Sequence, residues 1–312
     1  MKALKISAIV LGIIVIGIAV AGLYISKALP NTGPAEKLIV EITPARVERG
    51  KYLANHVTVC MDCHSKRDWT KYSGPIEGNF GGGGELFGKD FGFPGNIYAP
   101  NISPYNLGSW TDGEILRAIT TGVRNDGSAL FPIMGYHRFG KMDREDVLSI
   151  IAYIRTIPSV ENKVPATSLD FPVNLIVNTM PEKAEFSKIP ESNNSVAYGA
   201  YLVNAAGCAE CHSKAEKGQV IKGTELGGGM KFIQPSGVVV SPNISFGEGS
   251  AIAAWDKEMF IKFFRSFADS VPALGNKINT PMPWTMYGGM TGEDLAAIYD
   301  YLKTQKVKSP GL

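Results

Sequence analysis

Four cysteines constrain this chain more than any other feature. All four fall in two copies of one pattern, Cys60-Met61-Asp62-Cys63-His64 and Cys208-Ala209-Glu210-Cys211-His212. Two thiols spaced by two residues can reach one edge of a haem and add to its two vinyl groups. The histidine that follows then lies under the iron. The pattern therefore reads as c-type haem attachment, and the expected cofactor is two covalent haem c groups. Other uses of cysteine fit less well. Disulfides need no histidine, a redox dithiol expects a βαβ context, and a zinc ion needs more ligands than either copy supplies. None explains a histidine after the second cysteine in both copies with no cysteine left over.

The motifs lie 148 residues apart, and the sequence around them repeats at nearly that offset. Gly50–Asn55 (GKYLAN) matches Gly199–Asn204 (GAYLVN), and Tyr98–Ser103 (YAPNIS) matches Val240–Ser245 (VSPNIS). Trp110 pairs with Trp255, and Asp143–Thr156 pairs with Thr291–Thr304. A low-spin haem needs a second axial ligand, usually Met or His. Met134 and Met282 coincide in the repeat, each beside proline or glycine in a segment that predicts a rigid non-helical loop. They are the expected distal ligands, opposite His64 and His212. Met142 and Met290 also coincide, but each precedes a helix start and reads as a hydrophobic staple. His137, three residues after Met134, is the rival for the sixth position of the first haem. His56 reads as solvent-facing or locally bonded. Asn101, Trp110, Asn243 and Trp255 are candidates for the haem surroundings. No residue is assigned a catalytic role.

Each repeat predicts three helices and a long irregular loop. The first helix spans about Arg46–Asn55, and again about Val196–Ala205. A middle helix starts at Thr111, with Glu114 completing a capping box, and ends near Gly122. Its counterpart starts at Asp256 and continues through Phe260, Phe263, Phe264 and Phe267. The final helices begin at the caps Asp143 and Thr291, with Asp146 and Asp294 three residues on. Gly74–Gly95 and Gly218–Gly237 read as loops without regular elements. Gly81–Gly84 lacks the GK[ST] and the strand–helix context of a phosphate-binding loop.

The expected organisation is an amino-terminal segment (1–27), a proline-containing linker (28–44), a first unit (45–158), a connection (159–194) and a second unit (195–312). Phe171–Val177 in the connection is expected to pack between the units. Ile6–Ile25 carries no charge, and twenty helical residues rise about 30 Å, the thickness of a bilayer core. Ala19-Val20-Ala21 resembles a signal-peptide cleavage site. Apolar residues continue to Ile25, which favours a retained anchor. Lys2 and Lys5 favour a cytoplasmic amino terminus. A net charge of +2, with no basic block, gives no basis for nucleic-acid binding.

The repeated CxxCH, the Pro-Asn-Ile-Ser segment, Trp110-Thr111-Asp112-Gly113-Glu114, the Met loop and the final capped helix together resemble class I cytochrome c. More specifically, each unit resembles the cytochrome c subunits of bacterial membrane-bound sugar and alcohol dehydrogenases, over nearly all of residues 46–158 and 195–306. The resemblance implies a mainly α fold: two tandem class I cytochrome c domains after one transmembrane helix. It also implies attachment to the bacterial inner membrane, with the haem domains on the periplasmic side. Electrons would pass from a dehydrogenase donor to an oxidase or soluble cytochrome acceptor. Those subunits typically have three haem motifs, whereas this chain has two. The competing expectation is a di-haem enzyme, a peroxidase or sulfur-compound oxidoreductase, with one open iron position.

Overall fold

The computed structural model describes residues 2–191, 193–216, 218–234 and 237–309. Residues 235–236 of the second glycine-rich stretch and 310–312 of the expected second unit lie outside the described residues. The chain is mainly helical and opens with the apolar helix α1 (Lys2–Ala28). Its stretch Leu4–Ala28 is long and apolar enough to cross a membrane and is not buried against the rest of the protein. That pattern is shared by a membrane anchor and a signal peptide.

The first set of elements begins with α2 (Pro44–Tyr52), capped by Thr43 with proline at its start. A widened turn follows at Leu53–Val57, and then the one-turn α3 (Cys60–Cys63). Next come α4 (Pro104–Leu107), α5 (Asp112–Thr121), α6 (Tyr136–Phe139) and α7 (Arg144–Thr156). The connection carries α8 (Val173–Ile176). The second set repeats the order: α9 (Ser195–Ala206), α10 (Cys208–Cys211), α11 (Lys257–Arg265), α12 (Trp284–Gly288) and α13 (Gly292–Thr304).

In each set the first and last helices cross at close range, α2 on α7 and α9 on α13. The crossing rests on one glycine in each. A Cβ on Gly50 would collide with the carbonyl of Ser149, and one on Gly199 with the carbonyl of Ala297. No larger residue lets the two backbones approach this closely. The apolar faces of these helices then merge into one core that includes Leu53, Val147, Ile151, Leu202, Leu295 and Leu302.

Several expectations require correction. The glycine-rich stretches hold short antiparallel strands, pairing Lys66–Arg67 with Ile76–Gly78 and Lys231–Gln234 with Gly237–Val240. Some of their glycines, Gly78, Gly95 and Gly237, lie at the ends of strands. Helix α11 ends at Arg265, before Phe267. Residues 28–44 make contacts with the first set of elements. Val40 is buried and its amide donates to Asp112, while Arg144 pairs with Glu36. Phe171 does not pack between the units but is 78% exposed, and α8 lies against α1. Cap Asp143 accepts from Glu145, not from residue 146. The carboxylates of Asp146 and Asp294 turn away to other partners, described below.

Candidate haem sites and the interface between them

Each CxxCH motif forms one helical turn behind a left-handed residue, Val59 (φ 48°) in the first copy and Gly207 (φ 72°) in the second. The turn sets both cysteines on one short segment and delivers the histidine at its end. His64 and His212 are buried. The Nδ1 of His64 lies 2.7 Å from the carbonyl oxygen of Pro100, and that of His212 lies 2.9 Å from the carbonyl of Pro242. Donation from Nδ1 to a carbonyl fixes the ring and leaves Nε2 as the nitrogen for a metal. Burial lowers both histidine pKa values, against a smaller opposing effect of the carbonyl, which favours the neutral imidazole that binds metal.

The backbone of each histidine is itself held. Gly83 donates to the His64 carbonyl at 2.9 Å, and Gly228 does the same for His212. Both glycines are left-handed, and a Cβ on either would strike the backbone that follows Pro100 or Pro242. Asn101 gives its amide nitrogen to the carbonyls of Val160 and Asn162, and its oxygen accepts from Ser103. Asn243 repeats this with Glu248, Val307 and Ser245. Both asparagine amides are engaged by the chain's own loops. The signal for the histidine support was the repeated Pro-Asn-Ile-Ser segment, although the backbone carbonyl of the proline acts rather than the asparagine side chain. Trp110 and Trp255 are half-buried against the core, and Trp255 also packs on Phe263 with tilted rings whose centroids are 4.8 Å apart.

Met134 ends a 3₁₀ turn, Pro132–Met134, closed by left-handed Gly135. Met282 lies in a bend before α12. Both are half-buried against the core that also contacts Cys60 and Cys208. Met142 and Met290 are fully buried in that core, in keeping with a packing role. Burial, then the neighbouring Asp62 carboxylate, pushes the Cys63 thiol up to about 12. Burial, then Cys211, pushes Cys208 up to about 12. Thiols raised this far are poor thiolates at neutral pH, unlike the lowered cysteines of redox dithiols.

The two units meet through exchanged contacts. Tyr201 Oη donates to Asp146 at 2.6 Å, and its counterpart Tyr52 donates to Asp294. The Asp143 amide donates to Tyr201 and the Thr291 amide to Tyr52. His56 Nδ1 lies 3.0 Å from the Met286 carbonyl, and Asn204, near the same place in the second repeat, donates to the Arg138 carbonyl at 3.1 Å. Residue i meets j′ and j meets i′, as across a two-fold axis. His56 is therefore neither solvent-facing nor locally bonded. His137, the rival ligand, has its Nε2 2.7 Å from Glu210 Oε1, and Arg138 Nε donates to Oε2 of the same carboxylate at 3.0 Å.

Comparison with known proteins points to the cytochrome c class. Residues 196–306 match the cytochrome c family, whose members hold haem c covalently through this motif. The chain as a whole is homologous to cytochrome c subunits of dehydrogenases. It is 27% identical to the cytochrome c subunit of the quinone alcohol dehydrogenase of Gluconacetobacter polyoxogenes, over 83% of this chain and 56% of that protein. Identity to the fructose dehydrogenase cytochrome subunit of Gluconobacter japonicus is also 27%, covering 86% of this chain and 55% of the relative. A diheme cytochrome c-type protein of Cereibacter sphaeroides is 28% identical, over 78% of this chain and 81% of its own length. The chain thus spans little more than half of the dehydrogenase subunits it matches.

Proposed function

We propose that this chain is an electron-transfer subunit with two haem c groups, one in each of two tandem class I cytochrome c domains. The reading rests most directly on the doubled site: a CxxCH turn, a buried histidine steered by a proline carbonyl, and a methionine turn, all present twice. Cys60, Cys63, Cys208 and Cys211 would tether the rings. His64 and His212 would bind iron on one side, and Met134 and Met282 on the other. A haem so ligated cycles between ferric and ferrous iron, with the thioether raising its potential.

The chain's own residues do the rest. Pro100 and Pro242 hold the imidazoles in one orientation, so the coordination sphere need not rearrange with each electron. The core around Leu53 and Leu202 keeps water from the sites. The exchanged contacts hold the two sites in fixed relation, which suits passage of an electron between them. Homology to dehydrogenase cytochrome subunits supports a dehydrogenase as donor, with an oxidase or soluble cytochrome as acceptor. Helix α1 would anchor the chain in a bacterial inner membrane, with the haem domains on the periplasmic side.

Catalysis at an open iron, the competing expectation, needs an acid or base beside it. The nearest candidates, His137 and Arg138, are both engaged by Glu210. The test is absorption spectroscopy of the purified holoprotein, with haem counted per chain and carbon monoxide added to the ferrous form. The expected result is two low-spin haems that ignore carbon monoxide. A high-spin haem, or ready carbon monoxide uptake, would remove the methionine assignment at that site and favour an enzyme.

A further inference from the structure

Asp62 and Glu210 hold the same place in the two motifs, just before the second cysteine. Both carboxylates reach an arginine, and both arginines lead to the methionine loop of the other unit. In one direction the link is direct. Glu210 meets Arg138 and His137, four and three residues beyond Met134. Arg138 also donates to the Ala205 carbonyl at the end of α9.

In the other direction the link has one more step. Asp62 pairs with Arg67 at 2.9 Å, and the two side chains are 6% and 4% exposed. Arg67 also donates to the carbonyls of Ser73 and Gly74, each at 2.7 Å. These bonds hold Ser73 left-handed, at φ 66°, a conformation that serine seldom adopts. In that pose its hydroxyl donates to the Met282 carbonyl at 2.5 Å and accepts from the Trp284 amide at 3.0 Å. The Ser73 amide donates to Asn279 Oδ1 at 2.8 Å, and Asn279 in turn donates to the carbonyls of Trp69 and Lys71. One buried serine from the first unit thus holds the backbone on both sides of Met282 in the second, its hydroxyl on the carboxyl side and its amide, through Asn279, on the amino side. A methionine side chain is flexible and adaptable, so where its sulfur is presented depends on how firmly that backbone is set.

We propose that the acidic residue of each motif positions the methionine of the opposite unit: Asp62 acts on Met282 through Arg67 and Ser73, and Glu210 acts on Met134 through Arg138 and His137. Distal ligation at one site is then set by its neighbour. These are positioning residues that touch no reacting atom. The inference rests on the reading of Met134 and Met282 as distal ligands.

The experiment uses the full-length holoprotein and Ser73→Gly. Glycine keeps the left-handed backbone and the carbonyl that Arg67 binds, and removes only the hydroxyl. Met282→Leu is the reference and should leave one haem open. The expected result for Ser73→Gly is carbon monoxide uptake by one ferrous haem, partial loss of the weak far-red ferric band of an iron–thioether bond, and a lower potential at one haem only. The double variant should take up no more carbon monoxide than Met282→Leu alone, because both changes act on one ligand. If Met282→Leu opens one haem while Ser73→Gly matches the parent protein, the cross-bracing is overturned. It is equally overturned if Ser73→Gly opens both haems. If Met282→Leu leaves both haems closed, the ligand reading fails instead and this inference falls with it. Glu210→Gln, read against Met134→Leu, tests the reciprocal arm in the same way.

Discussion

Asp146 and Asp294 occupy equivalent places at the interface, and they are equally buried at 7% and 6% exposure. Each accepts a tyrosine hydroxyl from the opposite unit. Their remaining partners differ. Asp146 takes two hydrogen bonds from Arg49, both at 2.8 Å, whereas Asp294 takes one from Tyr198 at 2.9 Å. The cause is one position in the repeat, Arg49 in α2 and Tyr198 in α9. A sequence repeat can thus keep its helices while its electrostatics diverge. One carboxylate is neutralised by a fixed cation, and the other is held by neutral donors alone. The turn before each motif shows a similar divergence. Gly207 adopts the left-handed backbone without strain, while Val59 adopts it against the preference of a branched side chain.

The largest effect should come from the feature that the two units share. Gly50→Ala or Gly199→Ala drives a methyl into a facing backbone carbonyl, at a cost of about 3 kcal/mol. Thermal unfolding should show a loss of that order for each. Equal losses would mean that the two crossings carry similar weight. A near-neutral result at either would break the equivalence of the two folds.

A smaller and unequal pair of effects is expected at the interface. Asp146→Asn leaves the Arg49 guanidinium, 30% exposed, without its counter-charge. This should cost about 3 kcal/mol. Asp294→Asn removes a charged acceptor from two hydroxyls and strands no cation, at about 1–2 kcal/mol. Denaturant titration of both variants would check the order. Equal losses would show that the arginine contributes nothing beyond what a tyrosine supplies.

The smallest effect concerns alkaline pH. Burial, then Asp294, pushes Tyr198 up to about 12, and burial followed by Asp146 or Asp294 raises Tyr201 and Tyr52 as well. An unfolded tyrosine ionises near pH 10. Between that pH and about 12 the unfolded chain has lost protons that the folded chain retains. The stabilisation is therefore complete below about pH 10 and declines as pH rises toward the folded value. Melting temperature should fall across this range by less in Tyr198→Phe than in the parent protein. An unchanged slope would remove Tyr198 from the account.

Much of the chemistry was legible in one dimension because it depends on spacing along a single turn. Two thiols and a histidine within five residues define their site without help from the rest of the fold. The repeat then pointed to Met134 and Met282, to the helix caps Thr111, Asp256 and Thr291, and to the staple methionines. Each of these is a local property of a few neighbouring residues, so periodicity and composition carry it. The role of Pro100 and Pro242 was only half visible. Their repetition was plain, but a backbone carbonyl carries no side-chain signature.

Everything between the units was decided by tertiary structure. Nothing local to His56, Tyr52, Asp146 or Ser73 announces a partner some 55 to 242 residues away. Those pairings exist because the two helix crossings bring remote segments face to face, where buried polar groups must find donors and acceptors or bear the cost of desolvation. The sequence alone therefore determined which residues make up each candidate site. Only the packing of one unit on the other decided which remote residues contact the segments around Met134 and Met282, since that depends on distances no motif encodes.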